Sequence, residues 1–394
     1  MSALATVDPA AFGLGDIAEC GPPAPTHHPR IWRITRHADC VAALRNRAVQ
    51  TIDVTEELRL LQRARSVTLP GLAAFMSGVL VARRDPFHRS GREFLRSVQS
   101  GPTPPGTVRT HLQTMLGAAP QGEPIDLVPV MNRLPLVVLS GFIGLDPGTL
   151  DRLDHLLRQA MVDWAMGPHR MSLARMEESC SQAMAIIAGE FAAARASGEG
   201  RLYETLVAGC RTHGFDDEVI SGLLFFLIVA SIETTAGFLA NLAILLQRLP
   251  EFSDAARRPG KAQRETVEEA LRFIGPVRRL GRRTALEPIE IGGQVIPAGS
   301  SLHIDIEAAH RDPLAYPDPW SFDPSRNSPT SLAFSAGAHA CLGGRISRQM
   351  AGEVLDVLAG YDISPAEDGP PDWTAHPGFR IPHTLMSVIR ARDA

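Results

Sequence analysis

The sequence predicts a mainly α-helical fold with small β-sheets. Three observations carry that reading. From residue 107 to 250 nearly every segment repeats its apolar residues with the period of a helix. Within that stretch, Asp216 to Gln247 is apolar around most of its circumference, which predicts a long central helix buried on all sides. From 285 the period shortens to that of strands joined by tight turns.

Taken in order, residues 1–30 are rich in Pro and His, as in Gly21-Pro22-Pro23-Ala24-Pro25, and predict an irregular arm. The remainder, 31–394, reads as a single domain. Ile31-Trp32-Arg33-Ile34-Thr35 alternates like a strand, and Ala38 to Arg45 follows as a short helix. Gly101-Pro102-Thr103-Pro104-Pro105-Gly106 interrupts the helical pattern. Composition does not change across it, so it reads as a loop within the domain. Acidic residues open the 216–247 segment, where they complement the helix dipole. Pro288-Ile289-Glu290-Ile291, Gly292-Gly293 and Gln294-Val295-Ile296 spell a hairpin, with Pro297-Ala298-Gly299 as the next turn. No internal repeat is visible.

Composition narrows the function classes. At 394 residues and 44% apolar, the chain is long enough for a large core. Its formal charge of −4 leaves no basic excess for nucleic acid, although all its cations except Lys261 are arginine. Five widely spaced cysteines (Cys20, Cys40, Cys180, Cys210, Cys341) form neither a disulfide framework nor a zinc pattern. Met1 to Cys20 lacks the basic-then-apolar order of a secretion signal. The most apolar run, Leu223 to Ile232, is about half a membrane span. A cytoplasmic protein that enters no membrane is expected.

One segment carries chemistry: Phe334-Ser335-Ala336-Gly337-Ala338-His339-Ala340-Cys341-Leu342-Gly343. Its cysteine lies among glycines just before the helical pattern Arg345 to Leu358. Glycines let backbone approach a flat ligand, and a helix N-terminus stabilises a thiolate. The segment resembles the cysteine-ligand loop of cytochrome P450, Phe-Gly-x-Gly-x-His-x-Cys-x-Gly. It matches at Phe334, Gly337, His339, Cys341 and Gly343 and departs at Ser335, a usual Gly position. Three further motifs follow the family's order. Glu269-Ala270-Leu271-Arg272 matches Glu-x-x-Arg, and Phe322-Asp323-Pro324-Ser325-Arg326 matches the stretch that supplies its partner arginine. Ala230-Ser231-Ile232-Glu233-Thr234-Thr235 resembles the acid–alcohol motif of the central helix, with Ser231 at a usual Gly position. The resemblance runs from about residue 30 to the end of the chain.

The resemblance implies a P450 fold, with the long central helix over haem b, and roles residue by residue. Cys341 is then the axial thiolate and the only protein ligand to the iron. Phe334 packs near that sulfur and restricts water, and Gly343 is a further cofactor-binding position. His88 and Arg92, in a stretch like the family's His-x-x-x-Arg helix, share one helix face and with His339 and Arg282 take the haem propionates. Arg283, next to Arg282, competes for its role, because a one-residue insertion here is invisible in sequence. Glu269, Arg272 and Arg326 are structural, forming a buried ion network. Glu233 and Thr234 deliver protons during oxygen activation. Phe226, Val229 and Ala230, one or two turns before Thr234, line the substrate pocket with Val277 and Arg278. For Arg278 and Arg279 the choice lies between a substrate carboxylate and solvent.

The implied activity is that of a bacterial haem-thiolate monooxygenase that uses O2 to oxidise, chiefly hydroxylate, a small organic molecule. Electrons would come from an external ferredoxin and ferredoxin reductase, since no reductase sequence follows the cysteine region before Ala394. Arg83, Arg84, Arg89, Arg345 and Arg348 would form a basic patch for that acidic partner. The segment 149–212, with Met161, Trp164 and Met166, would form part of a lid, and Phe379 to Thr384 a turn toward the pocket. Two alternatives stay open: haem-dependent coupling, cyclisation or demethylation, and a catalytically degenerate binding module.

Overall fold

The computed structural model describes residues 7–100, 106–165, 170–256, 258 and 260–392, with backbone alone for 162–165, 170, 171, 250, 251, 254 and 282. The chain divides into two compact units. The first comprises Met1–Gln50, Val108–Leu134 and Thr234–Ala394; the second comprises Thr51–Thr107 and Pro135–Glu233. The sheet of the first unit draws strands from both ends of the sequence, so residues below 31 belong to it.

That sheet has five strands in the order Ala24–Pro25, Ile31–Ile34, Ser301–Asp305, Arg279–Ala285 and Val49–Thr51. Ile31–Ile34 runs parallel to Ser301–Asp305, which pairs antiparallel with Arg279–Ala285. One face buries Ile34, Leu302, Ile304 and Ala285 against Cys40 and Ala43 of the helix His37–Arg45. Full burial of such aliphatic side chains contributes about 1.5–3 kcal/mol each. The predicted hairpin is present: Ile289–Ile291 pairs with Gln294–Ile296 through Gly292 and Gly293, at φ +58° and +74°. Both positive φ values are what a two-residue hairpin turn requires.

The N-terminal segment is less irregular than its composition suggests. Val7, Phe12 and Leu14 are buried, and Phe12 meets Phe273 edge-on at 6.1 Å. Ala24–Pro25 adds an antiparallel strand at the sheet edge, where a proline without a donor is tolerated. Burial of apolar side chains outweighs the proline-rich local preference.

The second unit is helical among its described residues. It contains Val54–Arg65, Pro70–Ser77, Phe87–Gln99, Pro147–Ala165, Arg170–Ser197 and Arg201–His213. Its tightest approach is backbone on backbone, since a Cβ on Gly78 would lie 1.9 Å from the Gly222 carbonyl carbon. The predicted interruption at Gly101–Gly106 falls largely outside the described residues, as does Met166.

The central helix, Asp217–Arg248, runs through both units. The Asp216 carboxylate accepts the Val219 amide at 2.9 Å and caps its N-terminus. The helix is long and apolar enough to cross a membrane, but 72% of its most apolar window is buried within the protein.

Candidate functional site

The cysteine loop in the first unit is built from two short 3₁₀ turns, Leu332–Phe334 and Gly337–His339, that lead into the helix Gly344–Leu358. The Cys341 amide donates to the Phe334 carbonyl at 2.9 Å, and the Ser347 amide donates to Gly343 at 2.9 Å. Gly337 sits at φ +73°, and a Cβ there would come within 2.2 Å of the Leu44 carbonyl oxygen. Only glycine fits this corner. Gly344 faces the Phe334 ring at 3.2 Å from a built Cβ, so the ring packs flush against the helix start.

This construction leaves Cys341 exposed at the mouth of a helix, a setting that favours thiolate. Cys40 and Cys180 are buried, and burial pushes the Cys20 and Cys180 thiols up to about 12. Cys210 is exposed, with no glycine loop or aromatic ring beside it in sequence. Among the described residues no three His, Cys, Asp or Glu side chains cluster as metal ligands.

Behind the loop lies the predicted ion network. Arg272 grips Glu269 with two bonds, Nε at 2.8 Å and Nη2 at 2.7 Å. Its other donors reach the carbonyls of His310, Pro319 and Ser321. Arg326 approaches the same Glu269 at 3.5 Å, and the Asp323 amide donates to it at 2.9 Å. His310 closes the frame: the Leu332 amide donates to its Nε2 at 2.9 Å. Complete burial holds that imidazole well below its ordinary pKa, with the Arg272 and Arg311 charges adding to the effect. The neutral ring can then accept at the root of the cysteine loop.

The middle of the central helix breaks its own burial. Phe226, Val229, Ser231, Glu233 and Thr234 are only half-buried and Ala230 is exposed, while most of their neighbours are buried. Most of these positions follow the helical repeat from Phe226 to Thr234 and mark one accessible stripe. Thr235 is buried instead, with Oγ1 3.3 Å from Ser347 Oγ.

In the second unit Glu233 has a neighbour that sequence reading missed. Arg158 Nη1 lies 4.0 Å from Glu233 Oε1, while its Nη2 holds Asp154 at 2.6 Å. Burial raises the Asp154 carboxyl despite Arg158, and the Glu233 charge adds to the rise. The four-residue spacing of Asp154 and Arg158 was the only trace in sequence. His88 and Arg92 lie one turn apart on Phe87–Gln99 in this unit. His88 is buried with Nδ1 3.7 Å from Asp85, and Arg92 is half-buried.

Other expected residues fall differently. Arg279–Ala285 pairs Leu280 with Ile304 and Arg283 with Leu302, so one extra residue is accommodated between them. The irregularity takes up Gly281 and Arg282 and sets Arg283, which is buried, opposite Leu302. The Arg282 side chain lies outside the described residues, as does that of Trp164. Val277 is half-buried and bridges Phe379. Arg278 is not placed as a substrate cation, because its Nε bonds Glu307 at 2.8 Å and its Nη2 bonds Asp16. Arg279 pairs with Asp305 at 3.2 Å. Of the proposed basic patch, Arg89 pairs with Asp85 and Arg348 with Glu268, and Arg348 also stacks on Phe334 at 4.4 Å.

Comparison with known proteins gives the family and the fold. The family profile for Cytochrome P450 matches residues 263–388, which include the ion network and the cysteine loop. The erythromycin C-12 hydroxylase of Saccharopolyspora erythraea is 30% identical over 330 residues, 81% of this chain and 78% of its own. The chain belongs to the cytochrome P450 family. Linalool 8-monooxygenase of Pseudomonas putida is 28% identical over 255 residues, 64% of this P450 and 62% of its own length. The P450 monooxygenase PikC of Streptomyces venezuelae is 30% identical over 262 residues, with 60% of its own length matched. The fold is that of P450 structures: CalO2 superposes with a TM-score of 0.81 at 21% identity, covering 94% of this chain and 93% of that one. Epothilone D-bound P450epoK gives 0.76 at 20% identity and 94% coverage of both.

The residues of this P450 fit the family's haem. The one cysteine in a glycine-lined loop is exposed, and an aromatic ring packs beside it. An accessible stripe with an acid and an alcohol marks the central helix.

Proposed function

We propose that this P450 is a haem-thiolate monooxygenase that uses O2 to hydroxylate, or otherwise oxidise, a small organic molecule. Electrons would arrive from an external ferredoxin and ferredoxin reductase in the cytoplasm. The observation that carries the reading is the exposed Cys341 at the mouth of its helix, on a loop shaped by Gly337, Gly343 and Gly344.

When bound, haem supplies the redox chemistry that activates oxygen. The chain holds and surrounds it. Cys341 would be the thiolate ligand, and Phe334 limits water at the sulfur. His88, Arg92, His339 and Arg282 would take the two propionates, whose charge-assisted bonds are strong in a partly dry site. On the central helix the Thr234 hydroxyl would hold and pass a proton, while Glu233, about 100° around the helix, would draw it from the solvent side. The Arg158 charge lies 4.0 Å from the Glu233 carboxylate on one side. Phe226, Val229 and Ala230 present apolar surface, which suits a largely neutral substrate. The names of the relatives, linalool 8-monooxygenase and erythromycin C-12 hydroxylase, are in keeping with oxidation of an organic molecule at one carbon.

The test is spectroscopic. The reduced, CO-bound protein should show the red-shifted Soret band of a thiolate ligand, and Cys341→Ala should lose it. A thiolate spectrum retained in that variant overturns the assignment.

A further inference from the structure

We infer that the N-terminal segment clamps the substrate pocket through Asp16, which with Arg278, Glu307 and Arg380 forms a closed lattice that positions the Val277–Phe379 wall. The inference rests on the monooxygenase reading, which makes that wall part of the pocket.

All of it lies in the first unit. Arg380 is only 3% exposed, and its neighbours accept from all three of its guanidinium nitrogens. Its Nη2 donates to Asp16 at 2.6 Å and to Glu307 at 3.1 Å, its Nη1 donates to the Gly13 carbonyl at 3.1 Å, and its Nε donates to Glu307. Arg278 bonds the same two carboxylates from the other side. Two cations and two anions thus alternate, with Arg380 and Glu307 at 3% and 10% exposure inside and Asp16 closing the lattice from the surface at 54%. Burial alone would raise the Asp16 carboxyl, but the hydrogen bonds and charges of Arg380 and Arg278 outweigh it and hold the carboxyl below its ordinary value.

The segment is shaped for this contact. Trp373 stacks under Arg380 at 5.5 Å and donates its ring N–H to the Phe12 carbonyl at 2.9 Å. Gly13, at φ +60°, passes so close that a Cβ would meet that ring nitrogen at 3.0 Å. Three consecutive features of the segment, the Phe12 carbonyl, the Gly13 carbonyl and the Asp16 carboxylate, therefore converge on Trp373 and Arg380.

What the lattice holds is the turn beside the active stripe. The Arg278 amide donates to Gly378 at 2.9 Å, and the Arg380 amide donates to Pro276 at 2.8 Å, which ties Val277 to Phe379. Asn241 of the central helix donates to the Arg380 carbonyl at 3.1 Å. Ile381 packs so closely on Gly237 that a Cβ there would lie 2.7 Å away. Gly237 follows Thr234 by three residues, so the turn abuts the same side of the helix. Asp16, though far from any reacting atom, is a positioning residue for the wall.

Two azoles separate positioning from general stability. Imidazole needs only the haem iron, whereas the second ring of 4-phenylimidazole must lie against the pocket wall. Asp16→Asn and Glu307→Gln should each weaken 4-phenylimidazole by about tenfold in Kd, read from the Soret shift. Imidazole affinity and the CO spectrum should stay at wild-type values, and Asp16→Glu should restore 4-phenylimidazole. Equal loss for both azoles, or no loss, overturns the clamp. Hydrogen exchange of the amides at 378–380 should also quicken in Asp16→Asn, and unchanged exchange overturns the clamp whatever the haem does. Wild-type protein that binds neither azole overturns the haem reading instead, and the exchange result then judges the clamp alone.

Discussion

Thr235 Oγ1 of the central helix lies 3.3 Å from Ser347 Oγ, three residues into the helix that follows the cysteine loop. Its neighbour Thr234 is half-buried on the accessible stripe. Two adjacent threonines are therefore placed differently, one joining helices and one on the accessible stripe. Replacing Thr235 by Val should lower stability by about 1 kcal/mol, the worth of one hydrogen bond, and leave product yield per electron unchanged. Thr234→Ala should keep its stability and substrate binding but release most electrons as hydrogen peroxide. Urea titration and peroxide assay check the pair. Should Thr235→Val divert electrons as strongly as Thr234→Ala, the proton path runs through Thr235.

Ser335 stands where the family usually has glycine, at φ +60° and ψ −169°. That region is open almost only to glycine and costs on the order of 1–3 kcal/mol for other residues. Its hydroxyl is also buried, with no hydrogen-bond partner among the described residues. Ser335→Gly should raise the unfolding free energy by about 1 kcal/mol or more, read from a denaturant titration, and retain the thiolate CO spectrum. A loss of stability would mean that the serine makes a contact worth more than the strain.

Glu269 is 5% exposed and is shared by Arg272, Arg326 and the Asp323 amide. Glu269→Gln would leave two guanidinium groups facing a neutral amide. The expected cost is about 3–5 kcal/mol, as for other broken buried pairs, with poor haem loading because the network backs the cysteine loop. Chemical denaturation of the purified variant measures it. A cost under about 1 kcal/mol would place the network among surface ion pairs in effect.

Arg158 is the counter-ion of buried Asp154. Arg158→Gln removes the cation that lowers the Asp154 pKa, so that pKa, already raised by burial, rises further. The sign then follows: a carboxyl whose folded pKa exceeds its unfolded value loses stability as pH rises through the folded pKa. The variant should be destabilised by about 3–5 kcal/mol at neutral pH and recover part of this as the solution is acidified. Adding Asp154→Asn should restore stability at neutral pH. A gap from wild type that stays constant with pH would show that Asp154 does not depend on Arg158.

Much of this P450 was legible in sequence because its signals are local. The glycines about Cys341, the Glu269–Arg272 spacing, the Gly292-Gly293 hairpin and the apolar central helix all act within a few residues. Backbone geometry and helical period dictate such features directly. Tertiary structure alone decided the rest. Nothing near Asp16 in sequence announces Arg380, and nothing near Arg278 announces Glu307, since those bonds close only after distant segments pack. Arg158 likewise meets Glu233 across seventy-five positions of chain. Charge pairs acquire their strength from burial, and burial depends on which segments meet, so a local pattern of arginines cannot show which ones are already bound.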